Sequence, residues 1–159
     1  MRRITVLALL AAVAVLTGGS ADAALVHART PGAQWVYLSN GHGRAVVTRS
    51  GSLLIRAAAG RIRVIDLPGG TRPSRRCNRH GLRVSGVATE YRGRDVRCHV
   101  YGPGPWQVVV RGARINGSGR VRGSLTLDAV DSGPPGRFSI GQREARRWPR
   151  DPRTYVLRQ

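Results

Sequence analysis

Residues 94–111 read RDVRCHVYGPGPWQVVVR and alternate with a period of two in both halves. Val96, Cys98 and Val100 point one way, and Arg97, His99 and Tyr101 the other. Trp106, Val108 and Val110 then oppose Gln107, Val109 and Arg111. Alternation of β-branched and aromatic residues with polar ones marks half-buried strands. Gly102-Pro103-Gly104-Pro105 separates the halves, and two prolines remove two backbone donors, which reads as a turn. The stretch predicts a β-hairpin with one apolar face, one arginine-studded face and a cysteine in its inward row.

The same pattern extends upstream. Between Gln34 and Leu67 lie short strand-like pieces set off by glycines, and Gly43, Gly51, Gly60 and, just beyond, Gly69 are spaced eight or nine residues apart. Strands at that spacing predict an all-β antiparallel sandwich or barrel-like meander, with a short β-solenoid as the alternative. Residues 68–81 read as an arginine-rich loop, and Leu82–Tyr91 as a further strand or pair. Downstream, Val121, Leu125 and Leu127 oppose Arg122, Ser124, Thr126 and Asp128, and Phe138 and Ile140 share one face of a short strand. The best helix candidate is 141–148, which Pro149 would stop after two turns. Thr154–Leu157 reads as a last edge strand.

The chain opens with a segment of another kind. Arg2 and Arg3 precede an apolar run from Val6 to Leu16, then Ala21-Asp22-Ala23. This is the layout of a secretory signal peptide spanning 1–23. Its eleven apolar residues fall short of the roughly twenty that span a bilayer. No cysteine follows to carry a lipid anchor. The expected product is one all-β domain, 24–159, with arginine-rich segments at 68–81 and 143–153 and no membrane span after cleavage.

The charge is one-sided. All 27 basic residues are arginine, against 8 acidic ones, for a net charge of +19. High-GC coding inflates Arg, Ala, Gly, Val and Pro together and explains arginine standing for lysine, but it accounts for only about half of the excess. The remainder points to a polyanion-binding surface. Two clusters stand out: Arg72, Arg75, Arg76 and Arg79 in the loop, and Arg143, Arg146, Arg147, Arg150 and Arg153 around Trp148 in the tail. Arginine grips phosphate and carboxylate with two parallel hydrogen bonds, and a nearby indole can stack on a sugar ring or guanidinium. Trp148 has a second reading, as cover for the edge of the core. Export disfavours nucleic acid as a specific partner.

Cys77 and Cys98 are the only cysteines. In an exported chain an even pair reads as a disulfide. The metal alternative, Cys77-x-x-His80 with Cys98-His99, fails on geometry, because adjacent strand residues leave from opposite faces. No metal and no cofactor is expected. The order His42, Cys98, Arg111 resembles that of sortase-type cysteine transpeptidases. However, Asp95-Val96-Arg97-Cys98 stands where that family has Thr-Leu-x-Thr-Cys. No Gly-x-Ser-x-Gly elbow is present. Glu90 with Asp95, and Asp128 with Asp131, read as ion-pair partners of nearby arginines. Asn116-Gly117-Ser118 is a glycosylation sequon, relevant only in a eukaryotic secretory route.

Leader, composition and glycine-punctuated strands together resemble the exported β-rich proteins of high-GC actinobacteria, a group with no activity to carry over. The expectation is a secreted or envelope-associated, non-enzymatic β-domain that associates with acidic polymers through its arginines. The alternatives are a protein-binding module with incidental charge and a cysteine transpeptidase.

Overall fold

β-Branched and aromatic residues dominate the inward rows, and glycines interrupt them at regular intervals, so the chain forms long strands that must bend. A computed structural model of the protein describes residues 32–129 and 135–157. The leader and Asp131 lie outside the described residues. Among these residues the elements are β1 (Gln34–Asp66), β2 (Ser74–Cys77), β3 (Leu82–Arg83), β4 (Ala88–Ala129), β5 (Arg137–Ile140), β6 (Arg146–Arg147) and β7 (Arg153–Leu157), with no helix. The protein is all-β.

β1 has 33 residues and β4 has 42. Laid flat, they would run for roughly 110 and 140 Å. Instead they wind around each other. Arg49 pairs with both Trp106 and Gly123, Leu53 with Val100 and Gly119, and Ile62 with Tyr91 and Val110. The first pass of β1, 34–38, lies between β4 and β5, each later pass has a length of β4 on either side, and every pairing is antiparallel. The result is one antiparallel sheet, doubled over on itself and not closed into a barrel.

Two layers follow from the register. The first runs β5, 34–38, 117–121, 52–58, 95–101, β2. The second runs β7, 123–127, 44–49, 106–111, 61–66, 88–92, β3. Val36, Leu53, Ile55, Val96, Val100 and Ile115 of the first share one buried cluster with Val47, Ile62, Val64, Trp106, Val108 and Leu125 of the second. The chain crosses from layer to layer near Gly43, Gly51 and Gly60, so the eight-to-nine-residue spacing is the length of one pass. Glycines punctuate β4 in a similar way at Gly93, Gly102 and Gly112, spaced nine and ten residues apart. Neighbouring passes run antiparallel, whereas the rungs of a parallel β-helix would not, so the sandwich describes the fold and the solenoid does not. At Gly51 (φ +128°) an added Cβ would lie 2.2 Å from the carbonyl oxygen of Arg120, which only glycine avoids.

Three local expectations are corrected. The two halves of 94–111 do not pair with each other. Residues 95–101 lie in the first layer and 106–111 in the second, so Gly102–Pro105 carries the chain across the core rather than reversing it. Both inward rows are as expected, with Val96, Cys98, Val100, Trp106, Val108 and Val110 all buried. The loop 68–81 contains strand β2, paired to β4 from Ser74↔Tyr101 to Cys77↔Cys98. The segment 141–148 is a turn followed by β6, which pairs with β5, because Gly141 (φ +67°) breaks the backbone away from helical geometry. The edge strand in the tail is β7, paired from Gly123↔Leu157 to Leu127↔Arg153.

Candidate functional site

Directly opposed residues of an antiparallel pair present side chains on the same side of the sheet. The inward rows of the first layer therefore set its outward rows. One runs Tyr37, Ser118, Leu54, His99, Arg76 across five neighbouring segments. Beside it lie Asn116, Arg56 and Arg97, and on the other side Trp35, Arg120, Ser52, Tyr101 and Ser74. Tyr37 is 53% exposed and Leu54 55%.

These rows border an open, shallow groove of about 500 Å³ (lined by Tyr37, Leu54, Arg56, Arg76, Asn78, Arg97, His99, Asn116 and Ser118, among others). Ile55, Cys77 and Cys98, whose side chains belong to the inward rows, also border it. The disulfide joins directly opposed residues of β2 and β4, with Cα atoms 4.1 Å apart. It fixes Arg76 at the groove's edge.

The groove's polar groups are partly pre-set. His99 Nε2 lies 2.8 Å from Ser52 Oγ, and its ring sits 4.7 Å from that of Tyr101. Asp95 accepts from Arg97 Nη2 at 2.7 Å and from Arg56 Nε at 2.7 Å. Hydrogen bonds from Arg97 and then Arg56 hold the Asp95 carboxyl below its usual range, and the Asp95 carboxylate raises Arg97 in turn. Arg56 spends only its Nε on this contact. Arg56 also lines the groove. Asn78 clamps β4 from the edge: its Oδ1 accepts from the Arg97 backbone N–H at 2.8 Å and its Nδ2 donates to the Asp95 carbonyl at 3.2 Å.

The arginines singled out in the sequence divide. Arg72 and Arg75 lie 3.6 and 3.3 Å from the Asp66 carboxylate. Arg79 Nε donates to the Asp95 carbonyl at 3.2 Å. Arg76 alone of this cluster lines the groove. Arg143, Arg146, Arg147, Arg150 and Arg153 are exposed at the opposite edge, around β6 and β7. Six inter-strand steps separate β2 from β6, or about 29 Å along the sheet. The two clusters do not form one patch. Trp148 is buried in the core, 3% exposed, and its indole N–H donates to the Arg137 carbonyl at 3.2 Å. Its ring covers Gly41, where an added Cβ would lie 2.0 Å from Trp148 Cζ2. It caps the core edge and has no open face for a ligand.

Sequence reading placed Arg97, His99 and Tyr101 outward but missed Tyr37, Leu54 and Arg56 as their neighbours. The missing information was strand order, since these residues come from passes separated by tens of residues.

Cys98 is buried and bonded to Cys77, so it holds no thiolate to act as a nucleophile in this state. Among the described residues no three His, Cys, Asp or Glu side chains lie close enough to hold a metal ion, and no helix is long and apolar enough to cross a membrane. Comparison of the chain with protein-family models, curated proteins and solved structures returns no match.

Proposed function

We propose that this chain is an exported, non-enzymatic β-domain that associates with acidic envelope or extracellular polymers, and that the groove on the first layer is its binding surface. The observation that carries this reading is the combination of exposed Tyr37 and Leu54 with Arg56, Arg76 and Arg97 on one face. A sugar ring packs its C–H face against aromatic and aliphatic surface, and its carboxylate or sulfate meets a guanidinium in bidentate fashion. Such a face suits an acidic polysaccharide better than a neutral one. Export is supported by the leader's residue pattern and by the disulfide, a bond that persists in oxidising compartments. The non-enzymatic reading is favoured over a cysteine transpeptidase because Cys98 is paired.

The test is retention on immobilised polygalacturonate against neutral dextran at graded salt. The protein is expected to bind the acidic matrix and elute with salt. A combined variant, Tyr37→Ser, Leu54→Ser and Arg76→Gln, should weaken binding by about tenfold or more. Equal retention on both matrices, insensitive to salt, would favour instead a protein-binding module. The exposure of Trp35, Tyr37 and Leu54 is what supports that second reading.

A further inference from the structure

The outward face of the second layer carries an arrangement that the groove does not use. Arg44 is directly opposite Arg111, Arg111 is also opposite Arg61, and Arg61 is also opposite Arg92. Four arginines thus stand side by side on one face, because opposed residues share a side and their neighbours Ala45, Val110, Ile62 and Tyr91 are buried. At strand spacing the row is about 14 Å long and runs across the strands.

Like charges directly opposed across strands destabilise a sheet. The protein relieves only one end of this row. Glu90, itself buried, accepts from Arg92 and from Arg63. The side chains of Arg44, Arg61 and Arg111 form no ion pair or hydrogen bond with the described residues. Asp128 is opposite Arg44 in register, yet no ion pair joins them. Arg44 Nε is shielded from solvent with no acceptor. A buried donor without an acceptor carries an uncompensated desolvation cost. That Nε is closed to solvent and so takes no part in binding from outside, but three unneutralised guanidinium groups at regular spacing make a template for acceptors that reach their remaining nitrogens.

We propose that Arg44, Arg61, Arg111 and Arg92 form a binding strip for a linear chain of phosphate groups laid across the strands. Each guanidinium fork matches two oxygens of one phosphate. Tyr37 and Leu54 lie on the other layer, and the outward row beside this one is Thr126, Val46, Val109, Arg63 and Glu90, so among the described residues that row offers no aromatic ring on which a sugar could stack. Dense charge without a platform selects a phosphate chain over a uronate polymer. This site is independent of the groove and stands or falls separately.

The experiment measures binding of short-chain inorganic polyphosphate and of a glycerol-phosphate polymer to the whole protein, with polygalacturonate as the carboxylate control. The variants are Arg61→Gln with Arg111→Gln, and, on the other face, Arg76→Gln with Tyr37→Ser. The first pair should weaken phosphate-polymer binding roughly 10–100-fold and flatten its log–log salt dependence by about two units. The second pair should leave it unchanged. Without polymer, the first pair should melt at or above the parent temperature, since it removes opposed like charges. If the double variant does not fold, Arg111→Gln alone, at an exposed position, serves the same purpose. Binding of either phosphate polymer supports the strip, and the stronger of the two identifies its source. Unchanged binding in the first pair, equal loss in both pairs, or tighter binding of polygalacturonate at the strip would overturn it.

Discussion

Among the described residues Glu90 is the one charged side chain that is fully buried, and it illustrates how a few side chains set the electrostatics of a very basic chain. Burial pushes its carboxyl up, but hydrogen bonds and charge from Arg92 and Arg63 outweigh this, and the net shift is downward. A lowered folded-state pKa contributes stability above the unfolded value and loses it as pH falls through the folded one. The protein should therefore lose stability progressively below about pH 4.5, the ordinary glutamate value. Glu90→Gln should cost about 1–3 kcal/mol at neutral pH, and denaturant melts across pH should show its acid limb flattened. At Gly41 the limit is steric. Gly41→Ala would drive a methyl group into the Trp148 ring, with an expected loss of about 1–3 kcal/mol and a change in tryptophan fluorescence. In the sequence, alternation placed Val96, Cys98, Val100, Trp106, Val108 and Val110 inward, and all six are buried. It could not show that Trp148 closes over Gly41, 107 positions away, because that contact depends on β5 and β6 docking beside β1.

At the scale of elements, bends and staples govern stability. Ala59 adopts φ +45° and is skipped in the pairing between Ala58 and Gly60, where β1 crosses layers. A left-handed alanine costs about 1–2 kcal/mol, and glycine's added chain entropy returns roughly half of that. Ala59→Gly should therefore raise stability by about 0.5–1 kcal/mol, measurable by urea unfolding. β2 is four residues long and, among the described residues, has β4 as its only strand partner. The Cys77–Cys98 bond is what ties this edge down. Replacing both cysteines by serine should cost about 3 kcal/mol in the loop-entropy treatment. It should also expose the amides of Ser74–Cys77 to hydrogen exchange before the rest of the sheet. Most strands were legible from alternation and glycine spacing. The hairpin at 94–111 was misread because Gly102–Pro105 announces a change of direction without saying whether the chain turns beside itself or crosses to the other layer. β2 escaped notice because Ser-Arg-Arg-Cys is short and, apart from Cys77, has no apolar side chain to make a row.

For the molecule as a whole, sequence distance is the hidden variable. Gln34 pairs with Val121 and Leu53 with Val100, so nearly every partnership of β1 waits for the far side of the chain. Sheets built from such non-local pairings fold slowly, in the millisecond-to-second range, and stopped-flow refolding should show it. No local pattern could reveal that β1 is flanked twice by β4, nor that arginines at 44, 61, 92 and 111 become neighbours. The class of the fold was legible, and its weave was not. That weave has a practical meaning. Residues 78–87, which join the two halves, are exposed throughout. A protease that cuts there would sever the thread without loosening the cloth. The N-terminal piece would stay threaded between two lengths of the C-terminal piece and tethered through sulfur as well. A nicked molecule should elute intact under native conditions and come apart only when both denaturant and reductant are present. Two separately made pieces, mixed under oxidising conditions, are the natural halves for reassembly.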